Sequence, residues 1–324
     1  MKYTENALNI LTTNSYKGIG KAWLVKNLKG GENVETIVLL LNNKKPITSI
    51  KEFEDRREQY RNLILSQASF CDGIIALGDD NFPQHRGTVK DSEKPVVLFY
   101  KGDICLLSLH NKNITVIGLL KPTDAIEKRE REIVASFVNK GATIVSGLAL
   151  GCDSIAHKQT LDANGKTIAF LPSPLNNIMP GTNKGLAQRI IDNGGLLVTE
   201  YWYDFKSKME LSSRYKERDR LQALFCDVIV LASSYAKDSA DRWGLIGQKL
   251  DSGARLAMKF AIDYGIPRAV MYSKDIDIKN PMFDLNRELL KEQGVSDLNS
   301  SNLTKEVERL INLKSSTNIQ STLF

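Results

Sequence analysis

The sequence predicts a Rossmann-like α/β fold, in which a mostly parallel sheet is flanked by helices, plus a small N-terminal module. From about Ile114 onward, short apolar runs alternate with segments of helical periodicity, which is typical of strands joined by crossover helices. Several helical segments end at a glycine, namely Gly141, Gly165, Gly194 and Gly265. Glycine adopts positive φ at little cost and commonly ends helices.

The predicted strands of the sheet are ITVIG, TIVSG, TIAFLP, LLVTE, VIVLAS and PRAVMY. Helices are predicted to begin near Asp124, Asp153, Lys184, Ser212 and Ser252. Upstream, Ile74 to Leu77 and Val96 to Tyr100 favour two further strands of the same sheet.

Composition changes along the chain predict three parts. Residues 1–70 are expected to form a helical or mixed module, with a strand at TIVLLL and a charged helix at KEFEDRREQYRNLIL. Residues 71–292 form the Rossmann-like domain, and residues 293–324 form a polar tail with at most one short helix. Truncation after about Val295 is therefore expected to leave the domain and its binding intact.

Composition excludes several classes of protein. The 44 basic and 38 acidic residues give a net charge of +6, which fits a polyanionic partner without requiring one. The 4 cysteines form no CxxC pair and only 3 histidines exist, so we expect no metal, cofactor or disulfide framework. No apolar stretch approaches the ~20 residues that span a bilayer, so a cytoplasmic location is expected.

The string TIVSGLALGCDSIAH is the most informative segment. A strand at Thr143 to Val145 meets a loop with Gly147 and Gly151, and a helix follows near Asp153. Small residues allow close approach of an anion, and the free N–H groups of a helix N-terminus favour negative charge. Ser146 adds a hydroxyl donor. The same spacing also occurs in loops that serve only as packing turns.

The order of motifs between Gly78 and Tyr272 resembles that of the DNA-processing protein A (DprA/Smf) family. The motifs are DDNFPQ, PVVLFYKGD, ITVIG, IVSGLALGCDSIAH, TIAFLP, MPGTN, LLVTEY, KERDRLQAL and DSGARLA. The resemblance implies a non-enzymatic protein that binds single-stranded DNA, forms a homodimer and loads a RecA-type recombinase during natural transformation. It also implies a DNA and phosphate site made of Ser146, Gly147, Leu148, Gly151, Lys121, Asn183, Lys184, Arg218, Arg220, Ser252 and Gly253.

The sequence departs from the family pattern at positions that bear on this site. The family's G-S-R after the ITVIG strand reads Gly118, Leu119 and Leu120, so an arginine that contacts phosphate is missing. The asparagine of the family's R-N-R motif is Asp219. An additional stretch lies between residues 235 and 250. A specialised phage or plasmid role is one implication of this divergence.

Some residues carry two interpretations. Asp153 and His157, one helical turn apart, could form an acid/base pair, but a helix cap and a structural hydrogen bond explain them better. A further cluster, Arg214, Lys216, Arg218 and Arg220, is expected near a helix start, where positive charge opposes the macrodipole and so favours anion binding.

Two other segments leave alternatives open. The aromatic residues Tyr201, Trp202 and Tyr203 could stack bases or pack beneath a loop. Lys17 to Lys21, which contains two glycines, could form a helix-hairpin-helix loop or a structural turn. The competing functions are a nucleotide N-glycosidase of a sibling fold, whose glutamate after PGTNKG is absent, and a sensor that binds a nucleotide without chemistry.

Overall fold

A nine-stranded sheet organises this computed structural model, which describes residues 2–66, 69–248, 250 and 253–313. Its central strands are buried on both faces, which explains why they are mostly apolar and β-branched. The strands are β1 Gly73–Ala76, β2 Val97–Gly102, β3 Asn113–Ile117, β4 Thr143–Ser146, β5 Thr167–Phe170, β6 Leu196–Thr199, β7 Val228–Leu231, β8 Arg268–Met271 and β9 Val295–Leu298.

The strand order is β1-β2-β6-β5-β4-β3-β7-β8-β9. From β6 to β9 in this order, neighbouring strands are parallel. At the other edge, β1 pairs with β2 and β2 pairs with β6, both antiparallel. At the centre, Ile114 of β3 lies opposite Ile144 of β4 and Val228 of β7. The predicted mostly parallel sheet with flanking helices is confirmed.

The described helices include the five predicted for the α/β part of the chain. They are α1 Glu5–Asn14, α2 Lys21–Asn27, α3 Val34–Leu41, α4 Ile50–Leu65, α5 Asp124–Asn139, α6 Cys152–Asp162, α7 Lys184–Asp192, α8 Lys208–Leu224, α9 Ser239–Arg242, α10 Gly253–Tyr264, α11 Lys274–Asp277, α12 Asp284–Leu289 and α13 Leu303–Ile311. In the described ranges, no helix combines the length and the apolar character needed to cross a membrane.

The N-terminal segment is helical where a strand was predicted. TIVLLL lies within α3, because the Asn33 side chain accepts a hydrogen bond from the Thr36 amide and Ile37, Val38 and Leu41 are buried. The predicted charged helix is confirmed as α4, which begins with a capping box between Ser49 and Glu52.

The N-terminal helices share a hydrophobic core with the sheet. Leu8 of α1, Leu24 of α2 and Phe53 of α4 belong to the same buried cluster as Phe99 of β2 and Leu197 of β6. Helices α1 to α4 are therefore packed onto the β1 and β6 half of the sheet. The boundary near residue 70 remains a prediction.

The segment predicted as a polar tail contributes structure up to Leu313. Residues 295–298 form β9, which pairs with β8, and α13 packs against α5. The apolar side chains that these two elements bury are Leu298, Val307 and Leu310. These are enough to hold β9 and α13 in place, because an edge strand and an amphipathic helix each need few inward-facing residues. Polar composition concealed this pattern. The part of the tail from residue 314 onward lies outside the described residues.

Candidate functional site

A cavity of about 370 Å³ opens at the carboxyl ends of the central strands. From β3 the chain proceeds through α5 to β4 on one side, whereas from neighbouring β7 it proceeds through α10 to β8 on the other. Open α/β sheets bind ligands in the crevice at such a reversal of strand order. The lining residues are Ile117, Gly118, Leu120, Ala149, Leu150, Asp153, Pro180, Tyr215, Arg218, Asp219, Gln222, Gly253, Ala254 and Ala257.

Side chains of α6 accept hydrogen bonds from backbone amides of the glycine loop. The Asp153 carboxylate accepts hydrogen bonds from the amides of Gly147, at 3.1 Å, and Ala149, at 3.3 Å. The Leu148 amide donates to Nε2 of His157 at 3.3 Å, which holds Leu148 at a φ of +57°. The amides of Gly147 and Ala149, which were predicted to be free to bind an anion, are thus hydrogen-bonded within the protein. The Asp153 carboxylate occupies the place predicted for the anion.

Two predicted phosphate contacts also maintain the shape of this loop. The buried Ser146 hydroxyl donates to the Val116 carbonyl at 2.7 Å. The Asn183 side-chain amide donates to the Leu148 carbonyl at 2.7 Å and to the Ser154 hydroxyl at 2.9 Å. Both side chains therefore face the interior of the fold.

His157 has the structural role that the sequence favoured. Its Nδ1 lies 2.7 Å from the Thr167 hydroxyl, and burial, followed by the charge of Arg218, lowers its pKa to about 3. The imidazole is therefore neutral at physiological pH. Asp153 differs from expectation in detail, because α6 is capped by Gly151, at a φ of +69°, and the Asp153 side chain bonds to the preceding loop.

Arg218 joins α8 to the glycine loop. One guanidinium nitrogen lies 3.2 Å from Asp153, and its Nε lies 3.2 Å from Asp219. With the Gln222 amide oriented to accept, its oxygen lies 3.1 Å from Arg218 and 2.7 Å from the Gly147 amide. A Cβ at position 147 would overlap the guanidinium, so only glycine permits this approach.

Arg220 belongs to a different cluster from Arg218. It is 1% exposed and bonds to the Glu200 carboxylate and the Glu93 carbonyl, while Lys21 lies 3.0 Å from Glu200. Burial raises the pKa of Glu200, but the charges of Arg220 and Lys21 lower it further, so the pKa lies below its usual value. The structure does not bring Arg220 to the cavity, contrary to its predicted role, and Lys21 joins a structural ion network.

The dipole argument for the arginine cluster also fails. Helix α8 begins at Lys208, so Arg214 lies in its second turn, Arg218 and Arg220 lie in later turns, and none meets the N-terminal field. Arg214 is buried with its guanidinium 4.1 Å from the centre of the Tyr201 ring. Trp202 packs on Tyr60 with ring centres 5.9 Å apart. The aromatic residues after β6 thus pack within the fold, although Tyr203 is 45% exposed.

Exposed cations lie close in sequence to the cavity lining. Lys121 follows Leu120, Lys184 begins α7 shortly after Pro180, and Lys216 follows Tyr215. Arg255, which is half-buried, follows Ala254. None of the four forms an ion pair with a described residue. The sequence singles out Lys121 and Lys184 individually, includes Lys216 only in the arginine cluster and does not single out Arg255; a role in binding stays a prediction for all four.

The remaining predicted residues divide between these groups. Gly253 begins α10 and lines the cavity. Ser252 lies outside the described residues. Within the additional stretch, the segment from Ser239 to Trp243 is docked against α12, because the Ser239 hydroxyl and the Trp243 indole both donate to Asp284, at 2.7 and 2.6 Å.

Comparison with known proteins places the chain in a family. The sequence profile described as DNA recombination-mediator protein A matches residues 73–240, which include the glycine loop and α8. The chain belongs to this family. The recombination-mediator profile thus covers the strands β1 to β7 and the cavity elements up to α8.

Individual relatives agree with this assignment. DNA processing protein DprA of Streptococcus pneumoniae is 30% identical over 220 residues, which cover 67% of this chain and 74% of that protein. Protein Smf of Borreliella burgdorferi is 26% identical over 204 residues, and the match spans 63% of this chain and 57% of that protein. This recombination-mediator chain therefore matches just over half the length of the Borreliella protein.

Two solved structures share the fold. The X-ray structure of DprA from Streptococcus pneumoniae superposes with a TM-score of 0.68 at 22% identity, over 94% of this chain and 98% of that one. DNA processing protein A from Helicobacter pylori, whose structure was described for its single-stranded DNA binding mode, gives a TM-score of 0.57 at 26% identity. That match covers 74% of this recombination-mediator chain and 95% of the other.

Proposed function

We propose that this member of the recombination-mediator family binds single-stranded DNA across the mouth of the cavity at the reversal of strand order, here called the switch-point cavity. The observation that carries the proposal is the cavity itself, which is built from the family's glycine loop and has cations beside its lining residues without described ion-pair partners. The single-stranded DNA binding reported for the Helicobacter relative supports it. Phosphates would contact the exposed cations, since the amides of Gly147, Leu148 and Ala149 are already hydrogen-bonded within the protein.

We propose that binding involves no chemistry on the DNA. The acid/base candidates that the sequence singles out are Asp153 and His157, the ionisable pair of the loop. Asp153 accepts two amide hydrogen bonds and pairs with Arg218, and the polar atoms of His157 are bonded to Leu148 and Thr167. No observation favours the nucleotide N-glycosidase or the nucleotide sensor over the binding function.

Family membership also supports proposals about partners. We propose that the chain acts in the cytoplasm as a homodimer and transfers bound DNA to a RecA-type recombinase. Two linked sites on one strand would raise affinity through effective concentration. Light scattering at micromolar concentration should give twice the chain mass, and a monomer both with and without oligonucleotide would contradict the dimer.

The test of DNA binding uses two exposed lysines that follow cavity-lining residues in the sequence. Each phosphate contact on a single strand contributes about 0.7 to the slope of log affinity against log salt concentration. Replacing both Lys121 and Lys184 with alanine should therefore reduce the magnitude of the slope by about 1.4 and weaken binding to every sequence. Fluorescence anisotropy with oligo(dT) over a salt series measures both quantities.

The matched control replaces Lys140 and Lys259, two exposed lysines that pair with Glu308 and Asp263. This double variant should keep the affinity and slope of the parent. If the folded Lys121→Ala, Lys184→Ala variant also keeps both, the backbone does not pass these lysines. Absence of oligo(dT) binding by the parent would contradict the proposed function as a whole.

A further inference from the structure

We propose that the switch-point cavity receives a nucleobase of the bound strand rather than a phosphate. This inference rests on the proposed DNA-binding function and specifies what enters the site. The flanking backbone would remain outside, near the exposed cations, while one base turns into the cavity. Three properties of the lining lead to this assignment: its charge, its apolar surface and the hydrogen bonds of Arg218.

The charge of the lining disfavours a phosphate. Among the described lining residues, the side chains with a formal charge are those of Arg218, Asp153 and Asp219, which sum to −1. Arg218 lies 3.2 Å from both carboxylates, so its charge is already compensated. A buried anion is costly unless it is paired, and a phosphate here would meet an excess of negative charge. A neutral base carries no such cost.

The surface of the cavity suits a planar apolar ring. Leu120 and Leu150 belong to the lining yet remain 46% and 45% exposed, so part of the lining is apolar surface open to solvent. Ala254 and Ala257 supply small side chains on α10, which leave the space unfilled. Covering exposed leucines with a flat ring removes apolar surface from water, whereas covering them with phosphate does not.

Polar groups in the cavity can still orient such a ring. The Nε and Nη1 atoms of Arg218 face Asp219, Asp153 and Gln222, while Nη2 has no hydrogen-bond partner among the residues that the structure describes. A base edge offers neutral carbonyl and ring-nitrogen acceptors to such a donor. Tyr215 also lines the cavity, and burial raises the pKa of its hydroxyl, so it stays uncharged.

The experiment compares oligo(dT) with an oligonucleotide of the same length in which every base is absent. Both carry the same phosphates, so their salt slopes should agree. The stacking contribution of one base, about 1–3 kcal/mol, corresponds to roughly a 5- to 150-fold weaker affinity for the abasic strand. Anisotropy at fixed salt gives the ratio of the two affinities, here called the base ratio.

Cavity variants assign the base ratio to this site. Ala254→Leu fills the space, and Leu120→Ser removes apolar surface at an exposed position that should tolerate the change. Ala254→Leu should lower the base ratio at least about 5-fold, the value of the weakest single stack. Leu120→Ser removes only part of the apolar surface and should lower the base ratio by a smaller factor. The control Ala22→Leu makes the same substitution as the first at an exposed position of α2 and should keep the parental ratio.

The outcomes separate the two proposals. If the parent binds both oligonucleotides equally, the site takes only phosphate and the base inference is wrong, while DNA binding stands. A base ratio unchanged in the folded Leu120→Ser variant, and in Ala254→Leu where it folds, would place the base elsewhere and also overturn the inference. If the parent binds neither oligonucleotide, the proposed function fails and the inference fails with it.

Discussion

Replacing Asp153 with alanine should destabilise the protein severely, because one carboxylate holds both the glycine loop and a buried arginine. Asp153 is 7% exposed and accepts hydrogen bonds from the amides of Gly147 and Ala149. It also lies 3.2 Å from Arg218, which is 5% exposed. The substitution leaves the Ala149 amide without its acceptor and leaves the Gly147 amide with only the Gln222 oxygen. It also leaves a buried cation with Asp219 as its remaining carboxylate.

The magnitude follows from these contacts. Removing one partner of a buried ion pair costs about 3–5 kcal/mol. Each hydrogen bond to a charged acceptor contributes about 1.5–3 kcal/mol, but these terms overlap with the ion pair and do not add. Asp219 and Gln222 keep part of the compensation of Arg218. We therefore expect a loss of about 3–4 kcal/mol, against a total free energy of unfolding of about 5–15 kcal/mol for a typical domain.

Urea unfolding followed by far-UV circular dichroism measures this loss. Asp162→Ala is the matched control, because Asp162 pairs with Arg131 and Arg189 but its side chain is 52% exposed, and such surface pairs contribute about 1 kcal/mol or less. Asp153→Asn keeps an acceptor without the charge and should fall between the two. If Asp153→Ala unfolds within about 1 kcal/mol of the parent, the loop is held by other contacts and our account of it is incorrect.

Three further predictions concern stability. The pKa of His157 is lowered to about 3 in the folded protein, so between pH 6.5 and pH 4 only the unfolded state takes up a proton at this residue. The free energy of unfolding should therefore fall as the pH is lowered from 6.5 towards 4. Urea titrations should show that His157→Gln removes about 3 kcal/mol of that loss. Glu130 is 1% exposed, and burial raises its pKa although a hydrogen bond with the Cys152 thiol lowers it. Because the unfolded parent releases a proton that glutamine does not carry, Glu130→Gln should be about 1–3 kcal/mol more stable at pH 8, with the advantage shrinking towards pH 4.5; equal stability at pH 8 would count against this. Truncation after Gly294 removes β9 and α13 with three buried apolar side chains, each contributing about 1.5–3 kcal/mol, so a cooperative thermal transition should be lost rather than retained as the sequence suggested.

The sequence predicted the α/β core well because burial on both faces leaves an unambiguous pattern. ITVIG, TIVSG and VIVLAS contain little but apolar and β-branched residues, and each lies on a central strand. TIVLLL carries the same apolar signal, yet the cap at Asn33 and packing onto the sheet make it a helix. Short apolar runs do not distinguish the two states without their caps. The polar surfaces of β9 and α13 hid their few buried residues in the same way.

The binding site was harder to predict because sequence neighbours on a helix do not share a face. Successive residues are about 100° apart, so Arg218 and Arg220 point about 200° apart and meet different carboxylates. The residues of α8 that line the cavity are Tyr215, Arg218, Asp219 and Gln222, spaced at i, i+3, i+4 and i+7. That spacing is a single helical face and was readable from the sequence once α8 was assigned. The pairing of Arg218 with Asp153 could not be predicted from the sequence, because it joins residues 65 positions apart. Only the fold shows that the charge of this arginine is already compensated.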